Sequence, residues 1–109
     1  MGRNNIKHIL FFFDSRATFA YANNVFQEIK NEKKIKCSTL ISGNYLDKKM
    51  GVGLDIFKKN KIKITKKANF LSSNKKKDSW ARNLGLAVTE YSKKISEINP
   101  DLILITGDR

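Results

Sequence analysis

Two short polar clusters carry the residue types from which a phosphate-handling or acid/base site is built. Asp14-Ser15-Arg16 follows the apolar run Ile9 to Phe13, and Asp108-Arg109 follows the apolar run Leu102 to Ile105. A strand that ends in a turn and opens a helix exposes free backbone amides and a partial positive charge, a setting that suits phosphate. Arg16 would add a two-pronged guanidinium donor. The alternative is that Asp14 and Ser15 cap the helix while Arg16 is solvated. A carboxylate just past the carboxyl end of a buried parallel strand is placed for acid/base work, because ligands of open α/β sheets bind there. Asp108 fits that position; the alternative is a loop aspartate paired with Arg109. No glycine-rich dinucleotide fingerprint and no Walker loop occurs.

The elements that would position these residues alternate. Lys7 to Phe13 reads as a strand, and Thr18 to Lys33 as a helix with Phe19, Ala22, Val25, Phe26 and Ile29 on one stripe. Lys36 to Ser42 is a second strand. Gly51 and Gly53 mark a loop before a short helix, Leu54 to Lys59. Ile62, Ile64 and Ala68 to Leu71 are weaker extended segments. Asp78 is the expected N-cap of a long helix, Ser79 to Ile98. Its apolar face is Trp80, Leu84, Ala87, Val88, Tyr91, Ile95 and Ile98. Gly85 costs that helix about 1 kcal/mol relative to alanine, so close approach of another group to the backbone is expected there. Pro100 ends the helix. Leu102 to Ile105, four branched apolar residues in a row, is expected to be a strand buried on both faces. The order predicts a three-layer α/β fold with a parallel sheet, its first and last strands adjacent.

Bulk composition sets the outer limits. A chain of 109 residues is one domain at most. With 40% hydrophobic and 10% aromatic residues it is not a disordered chain. The run Ile9 to Phe13 is far too short for a membrane span or a signal-peptide core. Ile6 breaks a myristoylation motif after Met1-Gly2. A single cysteine, Cys37, allows no intrachain disulfide and fits a cytoplasmic location, where it serves as a small buried hydrophobe. His8 is the lone histidine, expected to be structural, and no Cys/His cluster suggests a metal.

The net charge is +12, from 22 Lys+Arg against 10 Asp+Glu. Lys58, Lys59, Lys61, Lys63, Lys66, Lys67, Lys75, Lys76 and Lys77 crowd a stretch free of acids between Asp55 and Asp78. Such a patch could bind nucleic acid or another polyanion. Its lysine bias and lack of interleaved aromatics favour a solvated face instead.

Four segments in register resemble one family. I-L-F-F-F-D-S-R-A at Ile9 to Ala17 resembles the opening strand and turn of the hydrolysing UDP-N-acetylglucosamine 2-epimerases, in the branch serving sialic and legionaminic acid synthesis. Leu40-Ile41-Ser42-Gly43 followed by Leu46, then Leu71-Ser72-Ser73 with Asn83-Leu84-Gly85-Leu86-Ala87, resemble its second strand and its long helix. N-P-D-L-I-L-I-T-G-D-R at Asn99 to Arg109 resembles its K-P-D-L-V-x-V-x-G-D-R strand. The resemblance implies a partial first domain of a two-domain Rossmann-like (GT-B) architecture, over residues 1–109. It implies that Arg16 contacts the nucleotide diphosphate, that Asp108 is the catalytic acid/base, and that Arg109 contacts the substrate. The family's glycine-or-serine position in the helix start falls on Ala20, a further substrate-binding position, and its acidic position falls on Thr18. The implied chemistry expels UDP by elimination and then adds water, giving an N-acetylmannosamine-type sugar, with neither metal nor nicotinamide. The implied partners are a UDP-sugar and either a C-terminal half or further copies of the chain. A single half-site is not expected to turn over alone.

Overall fold

The computed structural model describes residues 6–13, 19–41, 54–68 and 79–106. Among these residues four parallel strands form one sheet in the order β3-β2-β1-β4, with β1 at Lys7–Phe13, β2 at Ile35–Ile41, β3 at Lys66–Lys67 and β4 at Leu102–Leu104. The first and last strands are neighbours, Ile9 pairing with Leu102 and Phe11 with Leu104. Three described helices, α1 (Phe19–Ile29), α2 (Asp55–Lys59) and α3 (Ser79–Ile98), supply the outer layers.

Strand alternation assigns the two faces. Phe11, Phe13 and Ile41 point to one side, where Phe19, Ala22 and Phe26 of α1 and Phe57 of α2 cover them. Leu10 and Leu40 point to the other, with Phe12, against Tyr91, Ile95 and Ile98 of α3. The three expected layers follow: α1 and α2, the sheet, α3.

Local chemistry ends the elements. α1 stops at Ile29, short of the expected Lys33, and a turn closed by Glu32 N–H to Ile29 C=O leads into β2. α2 ends in a Schellman motif: Ile62 N–H donates to Phe57 C=O at 2.8 Å and Lys61 N–H to Lys58 C=O at 3.1 Å. Lys61 takes the left-handed φ of 56° that the motif requires, a position that favours glycine. α3 ends in the simpler single-bond form: Asn99, with φ 52°, donates its N–H to Ile95 C=O at 2.8 Å, and Pro100 then stops the helix as expected.

The weak segment after α2 is held by side chains rather than by a long ladder. The Thr39 hydroxyl donates to Lys63 C=O at 2.6 Å, and Thr39 N–H donates to Thr65 Oγ1 at 2.9 Å. The strand so positioned is Lys66–Lys67; of the expected segment Ala68 to Leu71, residues 69–71 lie outside the described residues.

Three sequence expectations are corrected. β4 is not buried on both faces: Leu102, Ile103 and Ile105 are exposed, because β4 is the sheet's edge and has a described neighbour only in β1. Val88 of α3 and Val25 of α1 stand at the margins of the stripes that cover the sheet and are exposed, and Leu84, in line with Tyr91 and Ile95 but about two turns nearer the start of α3, is exposed as well. Among the described residues nothing lies within 4 Å of where a Cβ of Gly85 would sit, so they supply no close approach to explain it. The Trp80 side chain and Asp78 lie outside the described residues.

Candidate functional site

The carboxyl edge of β1 and β4 is the candidate site. The two strands run parallel and side by side, so the chain leaves both at the same edge of the sheet. Arg16, Asp108 and Arg109 lie outside the described residues, as do Asp14, Ser15 and Thr18. Ala20 is described: it stands exposed in the first turn of α1.

What the structure describes is the frame around those residues. Phe13, the last residue of β1, is buried against Phe19, the first of α1, with ring centroids 5.5 Å apart. Phe57 closes the group edge-on, 5.1 Å from Phe13 and 5.5 Å from Phe19. Phe11 and Phe26 form a further edge-on pair at 5.2 Å. The segment between Phe13 and Phe19 is therefore anchored at both ends by one aromatic cluster. Edge-to-face pairs of this kind add about 0.5–1.5 kcal/mol each beyond area burial. Sequence reading placed Phe11 to Phe13 in the core but did not single out Phe57.

The other wall is α3. Tyr91 packs edge-on against Phe12 at 4.8 Å near the carboxyl end of β1, while Ile98 follows seven residues later towards the amino edge. Asn83, about two turns before Tyr91, thus approaches the carboxyl edge. Thr106 does too, two residues beyond Leu104. Among the described residues, Asn83 Oδ1 and Thr106 Oγ1 are buried with no hydrogen-bond partner. Buried polar atoms are normally paired, and orphans are costly enough that they gather where a ligand or water completes them. Both lie within segments that carry the family resemblance, which assigns neither a role.

At the opposite, amino edge the polar residues are structural. His8 N–H donates to Asp101 Oδ2 at 2.7 Å, and Asp101 N–H returns a bond of the same length to His8 C=O. This reciprocal pair fixes the start of β4 on β1. The His8 ring shares a hydrogen bond with the buried Ser38 hydroxyl. Burial first, then Lys36, holds the His8 pKa below its ordinary 6.5, with Asp101 opposing. Burial also pushes the Cys37 thiol up, as expected of a packed rather than reactive cysteine. Among the described residues no group of His, Cys, Asp or Glu could hold a metal, and no helix is long and apolar enough to cross a membrane.

Lys58, Lys59, Lys61, Lys63 and Lys67 are exposed. Lys66 lies 3.9 Å from Glu97 of α3, a half-exposed pair. Lys75, Lys76 and Lys77 lie outside the described residues.

The fold has known counterparts. A crystal structure of UDP-N-acetylglucosamine 2-epimerase superposes with a TM-score of 0.75 at 17% identity, over 95% of this chain and 27% of that one. The Neisseria meningitidis UDP-GlcNAc 2-epimerase bound to UDP-GlcNAc gives 0.70 at 19% identity, over 94% and 26%. In sequence, the GDP/UDP-N,N'-diacetylbacillosamine 2-epimerase (hydrolyzing) of Campylobacter jejuni subsp. jejuni serotype O:2 is 30% identical over 95 residues. This chain is kin to the hydrolysing UDP-sugar 2-epimerases. The match covers 87% of this chain and 24% of that relative, so the chain spans about a quarter of the proteins it resembles. No family model matches it. The α/β, Rossmann-like sheet is that expected of the opening part of a GT-B epimerase.

Proposed function

We propose that residues 1–109 supply the N-terminal part of the UDP-sugar-binding domain of a hydrolysing UDP-N-acetylglucosamine 2-epimerase. The observation that carries this reading is the parallel pairing of β1 with β4, which brings the chain out of both strands at one sheet edge. Arg16 follows Phe13 by three residues and Asp108 follows Leu104 by four, so both are tethered to that edge.

The roles follow from charge and position. Arg16, three residues before the first residue of α1, binds the diphosphate, whose negative charge grows as UDP departs. Asp108 acts at the sugar as acid/base, taking the proton from C2 as the bond from C1 to the diphosphate breaks. Returning a proton to C2 from the other side, with water adding at C1, yields the free N-acetylmannosamine-type sugar. Arg109 and the exposed start of α1 at Ala20 hold the remainder of the substrate. The orphaned oxygens of Asn83 and Thr106 offer two acceptors on the same edge.

One half-site supplies few of the groups that such a reaction needs, so this chain binds without turning over. The test is an assay for UDP released from UDP-N-acetylglucosamine by the purified chain. We expect the rate of a buffer blank. Release above the blank that disappears in Asp108→Asn would refute the need for further polypeptide.

A further inference from the structure

Among the described residues, Ser38 and Thr39 are the buried polar residues of the sheet, and both are paired. Ser38 bonds to the His8 ring, and the Thr39 hydroxyl to Lys63 C=O at 2.6 Å. The two orphaned oxygens, Asn83 Oδ1 and Thr106 Oγ1, both belong to the carboxyl edge.

Their positions bracket the space beyond the strand ends. Thr106 follows Leu104 by two residues, as Phe13 follows its partner Phe11, so Thr106 stands on the floor of that edge. Asn83, Ala87 and Tyr91 form one row of α3 at intervals of four residues, and Ala87 is buried. Tyr91 meets Phe12, the next-to-last residue of β1. Asn83 lies eight residues earlier, about 12 Å along the helix axis. α3 therefore carries Asn83 past the strand ends, over the place where ligands of open α/β sheets bind. Each residue as a whole is partly open, so a turn of one side-chain torsion brings its oxygen to that space.

The hydrogen-bonding inventory narrows the partner. An amide oxygen only accepts, whereas a hydroxyl both accepts and donates. A diphosphate offers acceptors alone. The hydroxyls and acetamido N–H of an N-acetylated sugar are donors. Thr106 also precedes Asp108, the residue proposed to act at the sugar, by two residues, or about 7 Å of chain at most. We infer that Asn83 and Thr106 hold the N-acetylhexosamine of the UDP-sugar through its hydroxyl or amide donors, and so select the sugar rather than the nucleotide. The inference rests on the epimerase reading for the ligand and adds to it the residues that read the sugar. Stability that the free chain loses to its two orphaned oxygens is recovered when the sugar binds.

The experiment titrates UDP-N-acetylglucosamine, and separately UDP, into the 15N-labelled chain and three variants, with thermal unfolding of each free protein. Thr106→Val keeps the side chain's shape and removes the hydroxyl. It should raise the unfolding midpoint by about 4 °C or more. It should weaken UDP-N-acetylglucosamine about fivefold or more and leave UDP unchanged. Asn83→Leu should weaken the sugar nucleotide to the same extent and spare UDP. Thr106→Ser retains the hydroxyl and should bind as the parent chain does. A lowered midpoint for Thr106→Val overturns the inference, because the hydroxyl would then have a partner in the free protein. Unchanged UDP-N-acetylglucosamine affinity in either Thr106→Val or Asn83→Leu also overturns it, as does weakened binding by Thr106→Ser. An equal loss with UDP overturns it by giving the oxygens to the nucleotide. A parent chain that binds neither compound refutes the epimerase reading itself, and this inference with it.

Discussion

Replacing Phe57 with alanine tests the frame of the candidate site. The ring is fully buried in the shared cluster and meets Phe13 and Phe19 edge-on at 5.1 and 5.5 Å. Truncating a buried phenylalanine costs about 3–5 kcal/mol, transfer and cavity together. Two lost edge contacts put Phe57→Ala towards the middle of that range, about 4 kcal/mol. Domains of this size are stable by only about 5–15 kcal/mol, so one side chain on a five-residue helix holds a large share. With a urea slope of about 2 kcal/mol per molar, the unfolding midpoint should fall by about 2 M. Phe57→Leu keeps most of the volume and should cost about 1.5 kcal/mol or less. A Phe57→Ala shift below about 1 kcal/mol would refute the claim that α2 is anchored through this ring.

Other consequences can be checked in parallel. Lys61→Gly should stabilise by about 1 kcal/mol, because glycine relieves the left-handed φ at a somewhat smaller cost in chain entropy; thermal unfolding reads this. His8 has a folded-state pKa below 6.5, so above pH 6.5 it is neutral in both states and contributes nothing. As pH falls through 6.5 the unfolded chain takes the proton more readily, and stability drops until the folded pKa is passed. His8→Gln should flatten that part of a stability-versus-pH curve. A labelled oligonucleotide should bind only at low salt and without sequence preference, since exposed lysines without stacking aromatics act through counterion release. Tight, sequence-dependent binding at physiological salt would favour the nucleic-acid reading.

Much of the fold can be read in residue order. The alternation of apolar runs with helical stripes yields the parallel sheet, and the register of Leu10 with Ile103 agrees with it. What escapes is what neighbours decide. Leu102 to Ile105 reads as an interior strand because an apolar run looks the same whether or not a further strand flanks it. β3 consists of two lysines, and no propensity marks it; Thr39 and Thr65 set its place through hydrogen bonds across the sheet. A lysine at a left-handed helix end carries no glycine signal. Asn83 and Thr106 emerge only when their orphaned oxygens are seen at the edge to which Arg16 and Asp108 are tethered.

The central claim is that the carboxyl edge of β1 and β4 takes a UDP-sugar. It is tested most directly by titrating UDP-N-acetylglucosamine into the 15N-labelled chain and following the amide resonances. The account predicts shifts at Phe13, Phe19, Ala20, Ile105 and Thr106, lost in Arg16→Ala, with His8, Ser38 and Asp101 at the amino edge unmoved. Shifts confined to the amino edge or to Lys58 through Lys67, or none at millimolar ligand, would contradict it.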